Sequence, residues 1–249
     1  MLTNYVKAAA MALGTVLCSY GAMAQNDYSQ QELTDMYNKA VRNSSYTANS
    51  KISNDLYVVA ASNPKLKTKK IKGIEYVLAV SWKGDVSYFP KKSDSLWSTG
   101  GWDTWVTMAP ELKDRVKHVD SSLINMRLKQ LLGLPPGASY GYFVEYWVQA
   151  KDIFRPCPDK EITDNSCGLC FPPGTDSTHI RWINAQRLDR FFVCDTAQRY
   201  PWTELGYTYD WSPENASHVG CSEFVVRPNS HVYINRIYTT REYLYTNNE

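Results

Sequence analysis

One stretch, Tyr140 to Gly174 (YGYFVEYWVQAKDIFRPCPDKEITDNSCGLCFPPG), limits the fold more than any other part of the chain. Its first part alternates aromatic and β-branched residues as a strand does. It then runs without a linker into a Pro-rich loop holding three of the six cysteines. Tyr142, Val144, Tyr146 and Val148 point one way, and Phe143, Glu145 and Trp147 the other. Both faces are mostly apolar, so the strand is expected to be central and covered on both sides. Glu145 is the exception. Buried, it needs a partner such as an arginine; an ion pair at the sheet margin is the expected outcome, and a raised pKa would make it a candidate acid or base.

The loop sits differently according to where the protein folds. Lys7, the apolar run Ala8 to Leu17, and Ala22-Met23-Ala24 before Gln25 form a secretory signal, so residues 1 to 24 are set apart from the fold. Cys18 invites lipidation, but bulky Leu17 before it favours simple cleavage at residue 24. The remaining 225 residues (249 minus 24) are enough for a single domain, 25 to 249, with a substantial core. In an oxidising compartment, periplasmic or extracellular, Cys157, Cys167, Cys170, Cys194 and Cys221 form two disulfides at most and leave one thiol over. Spacing does not give their pairing. Cys167-Gly-Leu-Cys170 has the spacing of a redox dithiol, yet Phe171-Pro172-Pro173 follows where such a motif opens a helix. Zinc on Cys157, Cys167, Cys170 and His179 is a further alternative, and disulfides are preferred to it. No metal and no cofactor is expected. A Cys-His nucleophile built from Cys221 with His218, His179 or His231 has only spacing behind it.

Charge narrows the partners. The chain carries 27 basic and 25 acidic residues, a net charge of +2. Removing Lys7 with the signal leaves +1, which gives no long-range attraction to nucleic acid. No later stretch has the roughly 20 apolar residues of a membrane span, so no stable membrane insertion is expected. Lys65 to Lys72, KLKTKKIK, reads as a solvated loop or a guarded strand edge.

Ser29 and Glu32 form a capping box that opens a helix over about Gln30 to Arg42. Leu56 to Ala61 reads as a short buried strand. Ile74 to Trp82, Lys83-Gly84-Asp85 and Val86 to Phe89 read as a hairpin. Pro110 starts one or two helices that end at Gly133 and Pro135-Pro136. Arg181 to Cys194 fits a helix and a strand about equally. Leu205 to Trp211 is strand-like, and Val219 to Arg227 with His231 to Tyr238 reads as a second hairpin. The fold class is therefore α+β: a mixed or antiparallel sheet with N-terminal helices and disulfide-stapled loops. Trp97, Trp102 and Trp105 lie close together in sequence; they form either a stacking platform for sugar rings or a cover for the core, with the core favoured.

Four motifs, RLKQLLGLPP (Arg127 to Pro136), FVEYWVQAKDIFRPCPDKEITDNSC (Phe143 to Cys167), YPWTELGYTYDW (Tyr200 to Trp211) and SEFVV (Ser222 to Val226), resemble those of a family of uncharacterised exported bacterial proteins. That resemblance implies a single domain through the cysteine loop and brings no catalytic residues. The order LPPG, aromatic strand, SEFVV strand and final strand is also similar to secreted toxins that cleave NAD or transfer its ADP-ribose. It implies Glu223 as the carboxylate that stabilises positive charge on the ribose, with Arg127 or Arg181 as phosphate partner. The Gly-rich or paired-glutamate turn of such enzymes is missing. Without a strong catalytic constellation, the aromatic-rich chain is read as a binding or interaction module for an unknown protein or small-molecule ligand. The toxin-type enzyme and a carbohydrate-binding module are the alternatives.

Overall fold

The computed structural model describes residues 28–245. The expected signal, with Cys18, lies outside these residues. The first helix, α1 (Gln30–Ser44), opens with the expected capping box: Ser29 N–H donates to Glu32 Oε2 at 2.7 Å, and Glu32 N–H to Ser29 Oγ at 3.3 Å. Leu33, Tyr37, Ala40 and Val41 recur at helical spacing and pack against Tyr209 and Trp211.

The main sheet is antiparallel throughout. Its strands are β1 (Thr68–Ile71), β2 (Ile74–Lys83), β3 (Ser95–Ser98), β4 (Thr104–Met108), β5 (Tyr142–Val148), β6 (Ile153–Phe154), β9 (Phe224–Val226) and β10 (His231–Thr239). Their order is β3-β10-β5-β2-β4-β9-β6, with β1 paired to β2. A second, small sheet joins β7 (Tyr207–Tyr209) to β8 (Val219–Ser222). β5 is central, as its two apolar faces require: Val144, Tyr146 and Val148 enter one core, while Phe143 and Trp147 enter the other. The second core is closed by α2 (Ala109–Val116), α3 (Ile124–Leu131) and α5 (Thr240–Tyr245). At the end of α3, Gly133 takes φ +65° and Leu134 N–H reaches back to Lys129 O, the stop signalled by the Gly and Pro residues.

Three expectations give way to other pairings. β2 does form, but its hairpin partner is β1, turned through Lys72 and Gly73, both at positive φ (51° and 81°). This is the twist-matched two-residue turn. The Lys-rich segment is therefore a strand flanking β2, and Val86 to Phe89 is a turn-rich loop that tucks Phe89 into the core. Leu56 to Ala61 pairs with no strand; Leu56 and Val59 N–H groups bond Asn165 and Ile162 carbonyls of the cysteine loop. Finally, β9 and β10 are not a hairpin, for β9 pairs with β4 and β6 and β10 with β3 and β5. Three strands separate them in the sheet, a flat distance of about 19 Å. Five residue steps reach at most about 18 Å, so the sheet must curl for the short Arg227–Ser230 connection to close it.

Glu145 is buried on β5 but makes no ion pair among the described residues. Asn235, at a register break in β10, donates to Glu145 Oε2 at 2.6 Å and accepts Trp147 Nε1–H at 2.9 Å; the Tyr238 hydroxyl adds a bond at 3.3 Å. The bulge turns an amide where regular alternation would place none.

Among the described residues one disulfide, Cys157–Cys167, closes the loop after β6, while Cys170 and Cys194 are exposed and Cys221 is buried. Inside the loop Arg155 is fully buried. Its Nη1 donates to Asp164 Oδ1 at 2.7 Å and Ser166 O at 2.8 Å, and its Nη2 to Asp164 O at 2.9 Å. Among the described residues no helix is long and apolar enough to cross a membrane.

Candidate functional site

The chain leaves the small sheet and joins the large one at a single residue, Glu223, between β8 and β9. Both flanks are pinned. Ser222 N–H donates to Glu111 Oε1 at 2.8 Å, and Glu223 N–H donates to Gly206 O at 2.9 Å. With β7–β8 on one side and β4–β9 on the other, the Glu223 side chain faces the seam between two sheets.

That seam encloses a cavity of about 310 Å³, at the lower end of the roughly 300–1,000 Å³ of small-molecule sites. β2 contributes Val80 and Trp82, β4 contributes Trp105 and Thr107, and the Tyr200–Trp202 loop closes the opposite side. Trp82 stacks on Tyr140 with centroids 4.9 Å apart. Leu132 and Leu134, set by the turn at Gly133, complete an apolar wall.

Three residues of this lining each carry a buried polar atom with no hydrogen-bond partner among the described residues: Thr107 Oγ1, Trp202 Nε1 and Glu223 Oε2. Such groups are rare in a settled interior, because each costs about 1–3 kcal/mol when left unpaired. Burial pushes the Glu223 carboxyl up to about 8, and the Arg190 guanidinium pulls it partly back. Arg190 comes from a π-helical turn, Leu188–Phe192, which extends α4 (Ser177–Arg187). Turns of this kind collect at functional sites because they re-aim side chains. Its guanidinium lies 5.3 Å from the centroids of both Trp105 and Tyr200 and donates to Gln186 Oε1 at 3.2 Å. α4 is fastened to β4 by Trp182, which packs on Trp105 at 5.9 Å and donates Nε1–H to Asp103 at 2.7 Å.

The other sequence candidates lie elsewhere. Arg127 is committed to Asp210 by two bonds of 2.8 and 2.6 Å, and Arg181 is exposed on α4 beside Ser177. The arginine near Glu223 is Arg190 instead. The three tryptophans have separate surroundings: Trp97 packs on Phe89 and Tyr146, Trp102 is 80 % exposed, and Trp105 lines the cavity. Cys167 is bonded to Cys157 rather than Cys170, which removes two thiolates from any zinc set. Burial drives the Cys221 thiol well above its ordinary value, opposite to what a nucleophile needs. His179 Nε2 bonds Cys157 O, and His218 Nδ1 bonds Asp210 O.

A second cavity, about 500 Å³, is lined by Glu111 and Tyr57; Glu111 Oε1 takes two bonds from Ser222, while Glu111 Oε2 and the Tyr57 hydroxyl have no partner among the described residues, two such atoms against three in the seam. The seam cavity is the site with the greater unmet bonding. Sequence reading reached Glu223 and Trp105 and missed Arg190, Thr107 and Trp202. Trp202 lies in the YPWTELGYTYDW motif, whose unpatterned start was the available signal; nothing local marks Thr107 or Arg190. No family model, no curated protein and no solved structure matches the chain.

Proposed function

We propose that this is an exported binding protein that holds a small, ring-bearing polar molecule in the seam cavity. One observation carries the reading: three residues that line one aromatic-walled cavity each hold a buried polar atom with no partner among the described residues. A ligand that bonded them would recover the desolvation they now cost, and the Trp and Tyr faces suit a flat or ring-shaped body. Export is supported by the N-terminal signal pattern and the Cys157–Cys167 bond. The motif resemblance to exported bacterial proteins agrees with it.

The toxin-type enzyme is the second reading, favoured by the meeting of Glu223 and Arg190 in one cavity. Its electrostatics are less suitable. Stabilising positive charge on a ribose requires an ionised carboxylate, and a group titrating at about 8 is only about one-tenth ionised at neutral pH. A neutral carboxylic acid instead donates a hydrogen bond, which serves binding.

The test is native mass spectrometry and thermal unfolding of the mature protein with a small-metabolite fraction, and with NAD. Retention of a small molecule, with a raised Tm that is lost in Thr107→Phe, is the expected result. At a hundredfold excess over Kd the stabilisation is about 2.7 kcal/mol. Release of nicotinamide from NAD would transfer the assignment to the enzyme. Absence of any retained mass or Tm shift would remove the binding reading.

A further inference from the structure

The ligand's chemistry follows from which side of each hydrogen bond the cavity leaves open, an inference that rests on the binding reading above. Trp202 Nε1 is a donor only, and so is the Arg190 guanidinium. Trp202 Nε1 is buried with no partner among the described residues. Arg190 has a cavity-lining ring on two sides and an amide oxygen on a third, none of which neutralises it. No carboxylate lies within ion-pair distance of it among the described residues, and the same holds for Lys83, which also lines the cavity. The lining thus offers donors and uncompensated positive charge. Thr107 Oγ1 adapts to either role.

We infer that the seam cavity is built for a small monocarboxylate carried on a ring, its carboxylate received by Arg190 and Trp202 and shared with Glu223. A carboxylate is acceptor-only, with about four lone-pair directions on two coplanar oxygens. A guanidinium fork matches that shape, and charge assistance makes these bonds about twice as strong as neutral ones. Glu223 fits the same occupant. Kept neutral by its apolar surroundings, its carboxyl donates a proton bond to the ligand's carboxylate, where an ionised glutamate would repel it. A cation would meet Arg190 unfavourably. Burial lowers the pKa of the Lys83 ammonium, so Arg190 is the firmer of the two lining cations, and a single carboxylate balances it better than a doubly charged phosphate.

The ring is received by the Trp82, Tyr140 and Trp105 faces. Both aromatic acids and acid sugars carry this chemistry, so the probes are paired. Benzoate is compared with benzamide, glucuronate with glucose, and phenyl phosphate with benzoate, by calorimetry at pH 7 on the mature protein. At least one acid should bind ten times or more tightly than its neutral counterpart. Arg190→Gln should abolish that preference while leaving circular dichroism and Tm close to wild type. The aromatic or the sugar pair showing the preference identifies the ring class. Equal binding of acid and neutral partner, or tighter binding of phenyl phosphate, would overturn the carboxylate assignment and leave the cavity a binding site. No binding by any probe, together with no retained molecule in the mass spectrum, would overturn both.

Discussion

The cysteine loop and the seam cavity lie on adjoining strands, with Phe154 of β6 paired to Val225 of β9, and each takes an ionisable side chain out of water. The loop buries Arg155 and encloses its two terminal nitrogens in oxygens from Asp164, Ser166 and, at 3.4 Å, Tyr57. The seam buries the Glu223 carboxyl and leaves Oε2 without a partner among the described residues. The cost is largely offset in the loop, where Nε is the one Arg155 nitrogen without a partner among the described residues, and left standing in the seam. A buried group with most of its bonds made fixes a conformation, whereas one left open beside a cavity leaves bonding for a ligand to supply. The contrast teaches that burial alone does not locate a site; unmet hydrogen bonding beside a cavity does.

Replacing Arg155 by Met should break the satisfied half, with the largest effect. The stem is retained while the Asp164 and Ser166 carbonyls lose their donors. Removing one partner of a buried pair costs about 3–5 kcal/mol, and since Asp164 is partly exposed and can rehydrate, the lower end is expected. Urea unfolding would read this as a lower midpoint at unchanged slope. A variant as stable as the wild type would show that the loop's network does not hold it.

The two regions also differ in how far the sequence disclosed them. The capped first helix, the central β5 and its two faces, the stop at Gly133 and the stapled loop are set by local pattern and covalent chemistry, so they were legible. The failed pairings have different causes. The local Lys72-Gly73 turn pairs β2 with β1 and leaves Val86 to Phe89 a loop, whereas the curl of the whole sheet decides the partners of β9 and β10. The sequence marks Glu145 as needing a partner, but Asn235 reaches it only because β10 bulges there. Glu223 was singled out through a resemblance in motif order, and its surroundings come from Arg190, Thr107 and Trp202, which no spacing rule connects. Long-range convergence of this kind leaves no periodic mark.

Glu223→Gln sharpens the unsatisfied half, and its effect depends on pH. The unfolded carboxyl titrates near the ordinary glutamate value of 4.5 and the folded one at about 8. Between these values the unfolded chain has released a proton that the native state still holds, so native stability falls as pH rises. The loss runs on until the folded carboxyl has itself ionised, at about pH 9, and amounts to a few kcal/mol at most. Gln carries no such slope. The variant should match the wild type near pH 4 and exceed it at pH 8 in denaturation midpoints. Parallel pH profiles would mean that the carboxyl titrates normally and that the seam is not desolvated.

Thr107→Val is the smallest change and the cleanest separation of the two kinds of burial. The shapes are nearly the same, so packing between β2 and β4 is preserved, and what is removed is a hydroxyl oxygen with no partner among the described residues. In a region built only for stability, deleting a buried hydroxyl loses its bond and costs about 1 kcal/mol. Here there is no bond to lose, and stability should instead rise by about 1 kcal/mol as the desolvation cost disappears. Affinity for the cavity's ligand should fall about fivefold in the same protein, since that hydroxyl is one of the atoms the ligand would satisfy. Opposite signs in unfolding and in calorimetry are the mark of a group kept for binding. If Thr107→Val lowered stability, the hydroxyl would belong with Arg155 among the satisfied groups, and the contrast between loop and seam would have to be redrawn around Glu223 and Trp202 alone.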